Sequence, residues 1–293
     1  MGQLTMGLSL SIITPCLNRV QNVEASIQSV LKQGYPHVEH VVIDGGSTDG
    51  TLEILSKYPH LKMISEPDRG MYDALNKGLQ LASGEIIGFL NTDDLYADAV
   101  FHPVMECFRD ATVDAVSGKA QIFKEEGGEL RTILDLSPPH PARLVETAIT
   151  GSTIFNAWFY RKSCIKQAGG FDPRYRISGD ADLILRLGLR RINCVVLETI
   201  HYLYRQHEGS LTFDINSDKL VKIFKDHALF IKKHMPSAEI PGDVKGLFNV
   251  LYRNTCTSLA NQYRSEGNRF QSFLWNFRAS FNISLPIVKN LAL

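Results

Sequence analysis

The chain has little of what marks secreted, membrane-spanning or nucleic-acid-binding proteins. Its five cysteines (Cys16, Cys107, Cys164, Cys194 and Cys256) are scattered and without C-x-x-C spacing, which indicates neither a disulfide framework nor a zinc site and fits a reducing compartment. No apolar run approaches the ~18 residues of a membrane span, and the N-terminus lacks a basic stretch followed by a long apolar core. A cytoplasmic protein is therefore expected. Net charge is also absent, with 31 Lys and Arg against 31 Asp and Glu, so no global field draws nucleic acid. There is no internal repeat and no low-complexity segment.

What remains is a chain of 293 residues, 44% hydrophobic, able to bury a full core. Apolar, β-branched runs at Leu8–Thr14, Val38–Ile43, Leu61–Ser65 and from Ile86 predict strands. Helical spacing over Val20–Leu31, Thr51–Tyr58 and Met71–Ala82 predicts the helices between them. Strand and helix alternating in this way predict βαβ units and a doubly wound, largely parallel α/β sheet. A helix is expected over Ala97–Arg109. Beyond about residue 112, strands at Val113–Ser117, Ala120–Phe123, Leu130–Leu134, Asn193–Leu197 and His201–Tyr204 predict an antiparallel or mixed half, with a helix over Ala181–Arg190. From about Ser217 the pattern is helical: Leu220–His234, Leu247–Tyr263, then Phe270, Leu274, Phe277 and Phe281.

The strand from Ile86 runs through Phe89 and Leu90 into Asn91-Thr92-Asp93-Asp94. Paired carboxylates at the carboxyl end of a buried strand suit a Mg²⁺ or Mn²⁺ ion holding a diphosphate, although an Asp-Asp pair can also cap a helix. The second strand ends in Asp44-Gly45-Gly46-Ser47-Thr48-Asp49-Gly50-Thr51, where Asp44 can accept hydrogen bonds from a base or ribose and Asp49 can cap the next helix. The third ends in Glu66-Pro67-Asp68-Arg69-Gly70, followed by Asn76-Lys77; Arg69 is either a phosphate contact or a surface charge.

Taken with Ser11–Asn18, Ser83-Gly84-Glu85, Gly169-Gly170-Phe171-Asp172, Ser178-Gly179-Asp180-Ala181-Asp182 and Tyr204-Arg205-Gln206-His207-Glu208-Gly209-Ser210-Leu211-Thr212, these motifs resemble the bacterial family 2 glycosyltransferases over residues 8–212. The resemblance implies an inverting enzyme of the Rossmann-like GT-A fold, using a nucleotide-sugar donor with Mn²⁺ or Mg²⁺. It implies a donor site at Thr14, Pro15, Asn18, Asp44, Asp68, Arg69, Asn76 and Asp93. It also implies metal ligation by Asp93, Asp94 and His207, with Asp94 leading, and a general base at Asp180, Asp182 being the reserve. Two positions depart from many relatives: a second acid is replaced by Gly45, and Glu-Asp by Gly179-Asp180.

On this reading residues 1–215 form the catalytic domain, with a donor half to about 112 and an acceptor half after it, and 216–293 form a helical extension. The acceptor is expected to be a saccharide or a lipid-linked saccharide in surface-glycan synthesis. Residues 216–293 hold 11 basic and five acidic side chains and the aromatic stripe Phe270, Phe273, Leu274, Trp275, Phe277 and Phe281. That combination implies contact with the inner membrane face, or packing within the chain or in a homo-oligomer. The competing readings are a sugar nucleotidyltransferase, whose glycine-rich activation loop is missing from Thr14–Arg19, and a non-catalytic nucleotide-sugar-binding module, which would need no separate base.

Overall fold

A computed structural model describes residues 7–150, 154–207 and 217–280. In chain order the elements are β1 (Leu10–Cys16), α1 (Val23–Leu31), β2 (Val38–Asp44), α2 (Thr51–Leu55), β3 (Leu61–Ser65), α3 (Met71–Leu81), β4 (Ile86–Phe89), β5 (Leu95–Tyr96) and α4 (Phe101–Cys107). There follow β6 (Ala115–Glu126), β7 (Glu129–Leu136), α5 (Leu144–Thr150), β8 (Trp158–Arg161), α6 (Lys162–Ala168), α7 (Gly179–Leu189), β9 (Cys194–Arg205), α8 (Ser217–His234), α9 (Lys245–Ser265) and α10 (Arg269–Ala279).

The sheet order is β3-β2-β1-β4-β8-β6-β9-β5, with β7 paired to β6. The first four strands are parallel, as the strand and helix alternation requires. Past β4 the sheet is mixed: β8 is antiparallel to β4 and β6, while β6 and β9 run parallel. Parallel strands covered on both faces are apolar throughout, and Leu10, Ile12, Ile13, Val41, Ile43, Ile86 and Ile87 are all fully buried. The same core takes in Leu220, Phe224, Phe230, Ile231, Phe248, Leu259 and Trp275 from α8, α9 and α10, so these helices share one apolar interior with the sheet.

The structure departs from the sequence reading mainly after residue 112. Two expected strands merge into β6 and two more into β9, the helix expected from Ala97 begins at Phe101, and β5, α5, β8 and α6 had no clear periodic signal. Gly118 looks like a strand break but is not one. The His201 ring of β9 occupies the space where a Cβ would stand, and the glycine lets the two strands close on that ring.

Three histidines, His40 and His201 buried and His227 half-buried, sit in this interior. Burial depresses His40 to about 3 and His201 and His227 to about 4. His40 holds Thr14 Oγ1 at 2.8 Å and His201 donates from Nδ1 to the Ala157 carbonyl, while His40 Nδ1 and His201 Nε2 have no hydrogen-bond partner. A second ring proton would be buried without an acceptor. Each ring is neutral in the fold at pH 7, and the unfolded chain protonates it below about 6.5. Each of these rings should therefore withdraw about 1.4 kcal/mol of stability per pH unit as pH drops from about 6.5 towards 4, offset in part by Asp94, whose raised carboxyl is protonated in the fold well before it is in the unfolded chain. Asp172, hydrogen-bonded by Arg174 and Lys233, lies below the usual carboxylate range, and its contribution is lost only at still lower pH. Urea midpoints measured between pH 7.5 and 4.5 check this, and a midpoint that rises as pH falls would mean that the rings charge within the fold.

Candidate active site

The loops that follow β1, β2, β3 and β4 open at one edge of the sheet, where the parallel strands end. After β4, the two adjacent aspartates face opposite ways. Asp94 is completely buried. Its Oδ1 accepts the Arg205 amide at 2.8 Å, and its Oδ2 accepts Tyr202 Oη at 2.7 Å and Asn91 Nδ2 at 3.2 Å. Burial, and then the charge of Asp93, push its carboxyl up to about 8. Asp93 is partly open, and its Oδ2 lies 3.0 Å from His207 Nε2. Arg205 ties β9 to this loop by donating from Nε to the Asp93 carbonyl, and it lies over the Phe123 ring.

These positions set Asp94, expected to lead in metal binding, apart from Asp93. Both of its oxygens are committed within the protein, whereas Asp93 and His207 offer an oxygen and an imidazole that reach solvent. No group of three or more His, Cys, Asp or Glu side chains that could hold an ion is found among the described residues. The Asp93–His207 pair fits a divalent ion that takes its other ligands from a diphosphate and water, the ordinary arrangement for a hard ion held with phosphate. Glu208–Thr212, expected beside His207, lie outside the described residues.

A second pair of aspartates separates in the same way at the start of α7. Asp182 is fully buried; it accepts Arg186 Nη2 at 2.7 Å, Lys233 Nζ at 2.7 Å, His234 Nε2 at 2.7 Å and Tyr175 Oη at 3.1 Å. Burial opposes its ionisation, but the His234 hydrogen bond and the charges of Arg186 and Lys233 outweigh it and hold the carboxyl well below the usual range. Asp180 is only half-buried. Its Oδ1 accepts the Ala181 amide at 2.8 Å and faces Tyr72 Oη at 3.3 Å, and no cationic side chain among the described residues hydrogen-bonds to it. Burial raises its carboxyl.

On the donor side the expected ligands are placed less uniformly. Thr14 is buried on His40, and Asp44 is fully buried with Oδ2 accepting the Gly46 and Ser47 amides and Ser65 Oγ and Oδ1 accepting Ser47 Oγ. Burial opposes ionisation of Asp44, and those hydrogen bonds reverse the effect, leaving its carboxyl below the usual range. Asp44 thus shapes its loop and does not face outward. Asn76 likewise bridges both backbone groups of Phe171, at 2.8 and 3.0 Å, and carries no open amide edge. Pro15 is half-buried beside exposed Asn18, whose Oδ1 accepts the Thr48 amide, and Arg69 is exposed with its guanidinium on Asp73 at 2.7 Å.

Asp68 accepts the Gly70 amide at 2.7 Å, and its Oδ2 would lie 2.7 Å from a Cβ at position 45. A carboxylate therefore stands where an acid at position 45 would begin. The Tyr72 ring lies 2.7 Å from where a Cβ of residue 179 would be, which leaves no room for a glutamate there. Asp49 caps α2 by accepting Thr51 N at 3.0 Å. Sequence reasoning missed Tyr202, Arg205, Tyr72 and Asp226. Arg205 falls within the Tyr204–Thr212 motif, whereas Asp226, between Lys225 and His227, looks like one more polar residue of an amphipathic helix.

Residues 11–168 match the profile described as Glycosyl transferase family 2. An uncharacterized glycosyltransferase of Mycobacterium tuberculosis is 31% identical over 209 residues, 67% of this chain and 76% of that protein. A PGL/p-HBAD biosynthesis glycosyltransferase of Mycobacterium bovis is 33% identical over 183 residues, 60% of this chain and 68% of that one. Among solved structures, a mannosyltransferase of Pyrobaculum calidifontis in complex with GDP-Man and Mn²⁺ aligns at TM-score 0.61 and 18% identity, covering 98% of this chain and 79% of its own. S. aureus TarS 1-349 in complex with UDP-GlcNAc aligns at 0.58 and 16%, covering 92% and 91%. These structural likenesses establish the expected GT-A fold.

The two faces of the Asp93–Asp94 pair predict opposite phenotypes. In Asp94→Asn an amide N–H would meet the Asn91 donor inside the protein, which should cost about 1–3 kcal/mol and lower Tm by several degrees. Asp93→Asn should leave Tm unchanged while weakening Mn²⁺-dependent binding of UDP or GDP. Thermal melts and calorimetric titration of both variants read this out. The reverse pattern would return the leading role to Asp94.

Proposed function

The chain belongs to glycosyl transferase family 2, and on that premise we propose that it moves a sugar from a nucleotide-sugar donor to a hydroxyl acceptor with inversion. Asp180 acts as general base. The observation that carries this is the contrast within α7: Asp182 is saturated by cations, while Asp180 reaches solvent, has no cationic partner among the described residues and has its proton affinity raised by burial. In-line displacement needs such a group to take the acceptor's proton on the face opposite the departing diphosphate. A carboxylate paired with lysine and arginine and hydrogen-bonded to a histidine would be a poor base. That asymmetry also favours an enzyme over a binding module.

Asp93 and His207 would hold the divalent ion, Mn²⁺ or Mg²⁺, which when bound neutralises charge on the leaving nucleoside diphosphate. Asp68 and Asn18, with the loops shaped by Asp44, border the nucleotide. A panel of UDP- and GDP-sugars with Mn²⁺, read by nucleoside diphosphate release, identifies the donor. With that donor, Asp180→Asn should keep nucleotide affinity within a few-fold and lower turnover by a factor of about 10²–10⁴. Asp182→Asn should instead lower Tm. If Asp180→Asn turns over normally, the assignment of the base is wrong.

For the acceptor, we favour a lipid-linked saccharide reached at the inner face of an anionic membrane, in keeping with a role in surface-glycan synthesis. In α10, Phe270, Phe273 and Phe277 are 70%, 66% and 55% exposed along one face, while Trp275 is buried against Phe224 of α8 with ring centroids 4.5 Å apart. The helix carries Arg269 and Arg278 and no acid. Aromatic side chains with basic flanks suit the interface of anionic lipid. No helix among the described residues is long and apolar enough to cross a membrane, and Phe281 lies outside them. Full-length protein should co-sediment with phosphatidylglycerol vesicles at low salt, and Phe273→Gln with Phe277→Gln should abolish this while sparing nucleotide binding. Absence of vesicle binding, with an oligomer lost in the double variant, would assign the face to a second copy.

A further inference from the structure

Three consecutive backbone N–H groups just before α7 converge on a single side chain from the C-terminal helices. Asp226 of α8, 3% exposed, accepts Arg176 N at 2.9 Å, Ile177 N at 2.6 Å and Ser178 N at 2.9 Å, all on Oδ2, with Arg176 N also 3.1 Å from Oδ1. No cationic side chain among the described residues hydrogen-bonds to it. A buried carboxylate costs several kcal/mol unless its lone pairs are filled, and successive amides on one side of a turn form a concavity suited to an anion.

On the opposite side of the same turn, Tyr72 Oη donates to the Ile177 carbonyl at 2.5 Å. The Ile177 residue is therefore gripped at its N–H by α8 and at its C=O by α3. Tyr72 has a single hydroxyl proton, and with that proton on Ile177 it leaves the more distant Asp180 Oδ1, at 3.3 Å, to other donors. Asp180 then depends for its orientation on the Ala181 amide and on the 176–178 turn. The same turn sends the Arg176 guanidinium to the Arg69 carbonyl, in the loop after β3.

We propose that Asp226 is a positioning residue for the reaction: by fixing the Arg176–Ser178 turn, it orients the Asp180 carboxylate against the acceptor hydroxyl and links that carboxylate to the donor-side loop. The inference rests on the reading of Asp180 as the base. Displacement of a reacting group by about 1 Å can cost a factor of about 10² in rate. The groups facing Asp180 are Tyr72 from α3, Tyr160 from β8 and Asp226 from α8. Of these Asp226 is the one that contributes a negative charge, and it strengthens the hold of Asp180 on a proton.

The test separates turnover from binding in the full-length enzyme. Asp226→Ala should lower kcat about 10- to 100-fold with the selected donor, while affinity for UDP or GDP with Mn²⁺ changes less than about threefold. Asp226→Asn keeps one carbonyl acceptor but removes the charge. It should recover part of kcat and move the acidic limb of the kcat/KM profile to lower pH, a change that a merely structural residue would not produce. Tyr72→Phe, which frees the Ile177 carbonyl, should reproduce the loss in kcat, so the proposal stays testable if Asp226→Ala does not fold. Normal kcat and an unmoved pH profile in Asp226→Asn and Tyr72→Phe would overturn the proposal, as would nucleotide affinity and Tm falling in step with kcat. A fully active Asp180→Asn would remove the base reading and this inference together. An inactive Asp180→Asn beside fully active Asp226 variants would overturn this inference alone.

Discussion

A carboxylate taken out of water has to be met by donors fixed in place, and this requirement organises the functional edge of the molecule. Asp44, Asp94, Asp182 and Asp226 are all buried, and each gathers several donors that would otherwise be free to move. Asp44 gathers the Gly46 and Ser47 amides with two serines, and Asp94 gathers Tyr202, Asn91 and the Arg205 amide. Asp182 draws α8 onto α7 through Lys233 and His234, while Asp226 takes the turn before α7. Each penalty of burial is offset only when the surrounding loop adopts one conformation. Loops, which are ordinarily the most mobile parts of a fold, acquire definite shapes here because a buried carboxyl group, ionised or, like Asp94 at neutral pH, largely protonated, would otherwise be left without partners.

The same requirement separates structural acids from chemical ones. Of two adjacent aspartates after β4, one is saturated from within and the other reaches a histidine at the surface; of two aspartates at the head of α7, one is saturated by cations and the other is not. Chemistry needs a carboxylate whose partners change during reaction. Saturated groups cannot serve, but they set the position of those that can. Of the basic side chains on Asp182, Lys233 and His234 come from α8, as does Asp226, so the C-terminal helices bear on the candidate base as well as on the apolar core.

Much of the parallel half was legible because periodicity reports it directly: β3 lies over Leu61–Ser65 as expected, and β2 and α3 differ from expectation by a single residue. The second half was less legible for identifiable reasons. Gly118 reads as a break but accommodates the His201 ring from a strand 80 residues away, and β8, Trp158–Arg161, is too short for alternation to show. Strand-end motifs located the functional edge, because position along a strand is a local property. They did not report side-chain direction. Whether Asp94 or Asp93 points inward depends on Tyr202 and Arg205, more than 100 residues on, and the role of Asp226 depends on a turn of a different element. No spacing rule carries such information.

The two positions that depart from the pattern implied by the resemblance show how charge and shape are supplied where an acid is absent. At Gly45 the missing acid leaves a space, and Asp68 from the loop after β3 supplies a carboxylate beside it, itself anchored on the Gly70 amide. At Gly179 the missing glutamate is matched by the Tyr72 ring, which stacks on Phe171 at 5.6 Å and fills the volume. The first exchange keeps a negative charge near the nucleotide side. The second removes one next to Asp180 and puts a hydroxyl there in its place. With a glutamate beside it, Asp180 would have a like charge on its own helix. Without one, Asp226, held behind the turn by three amides, is a negative charge that acts on it. With glycine at 179, the proton affinity of Asp180 is raised by burial and by a residue of the C-terminal helices, which links the electrostatics of the candidate base to a segment well beyond the residues that the family profile matches.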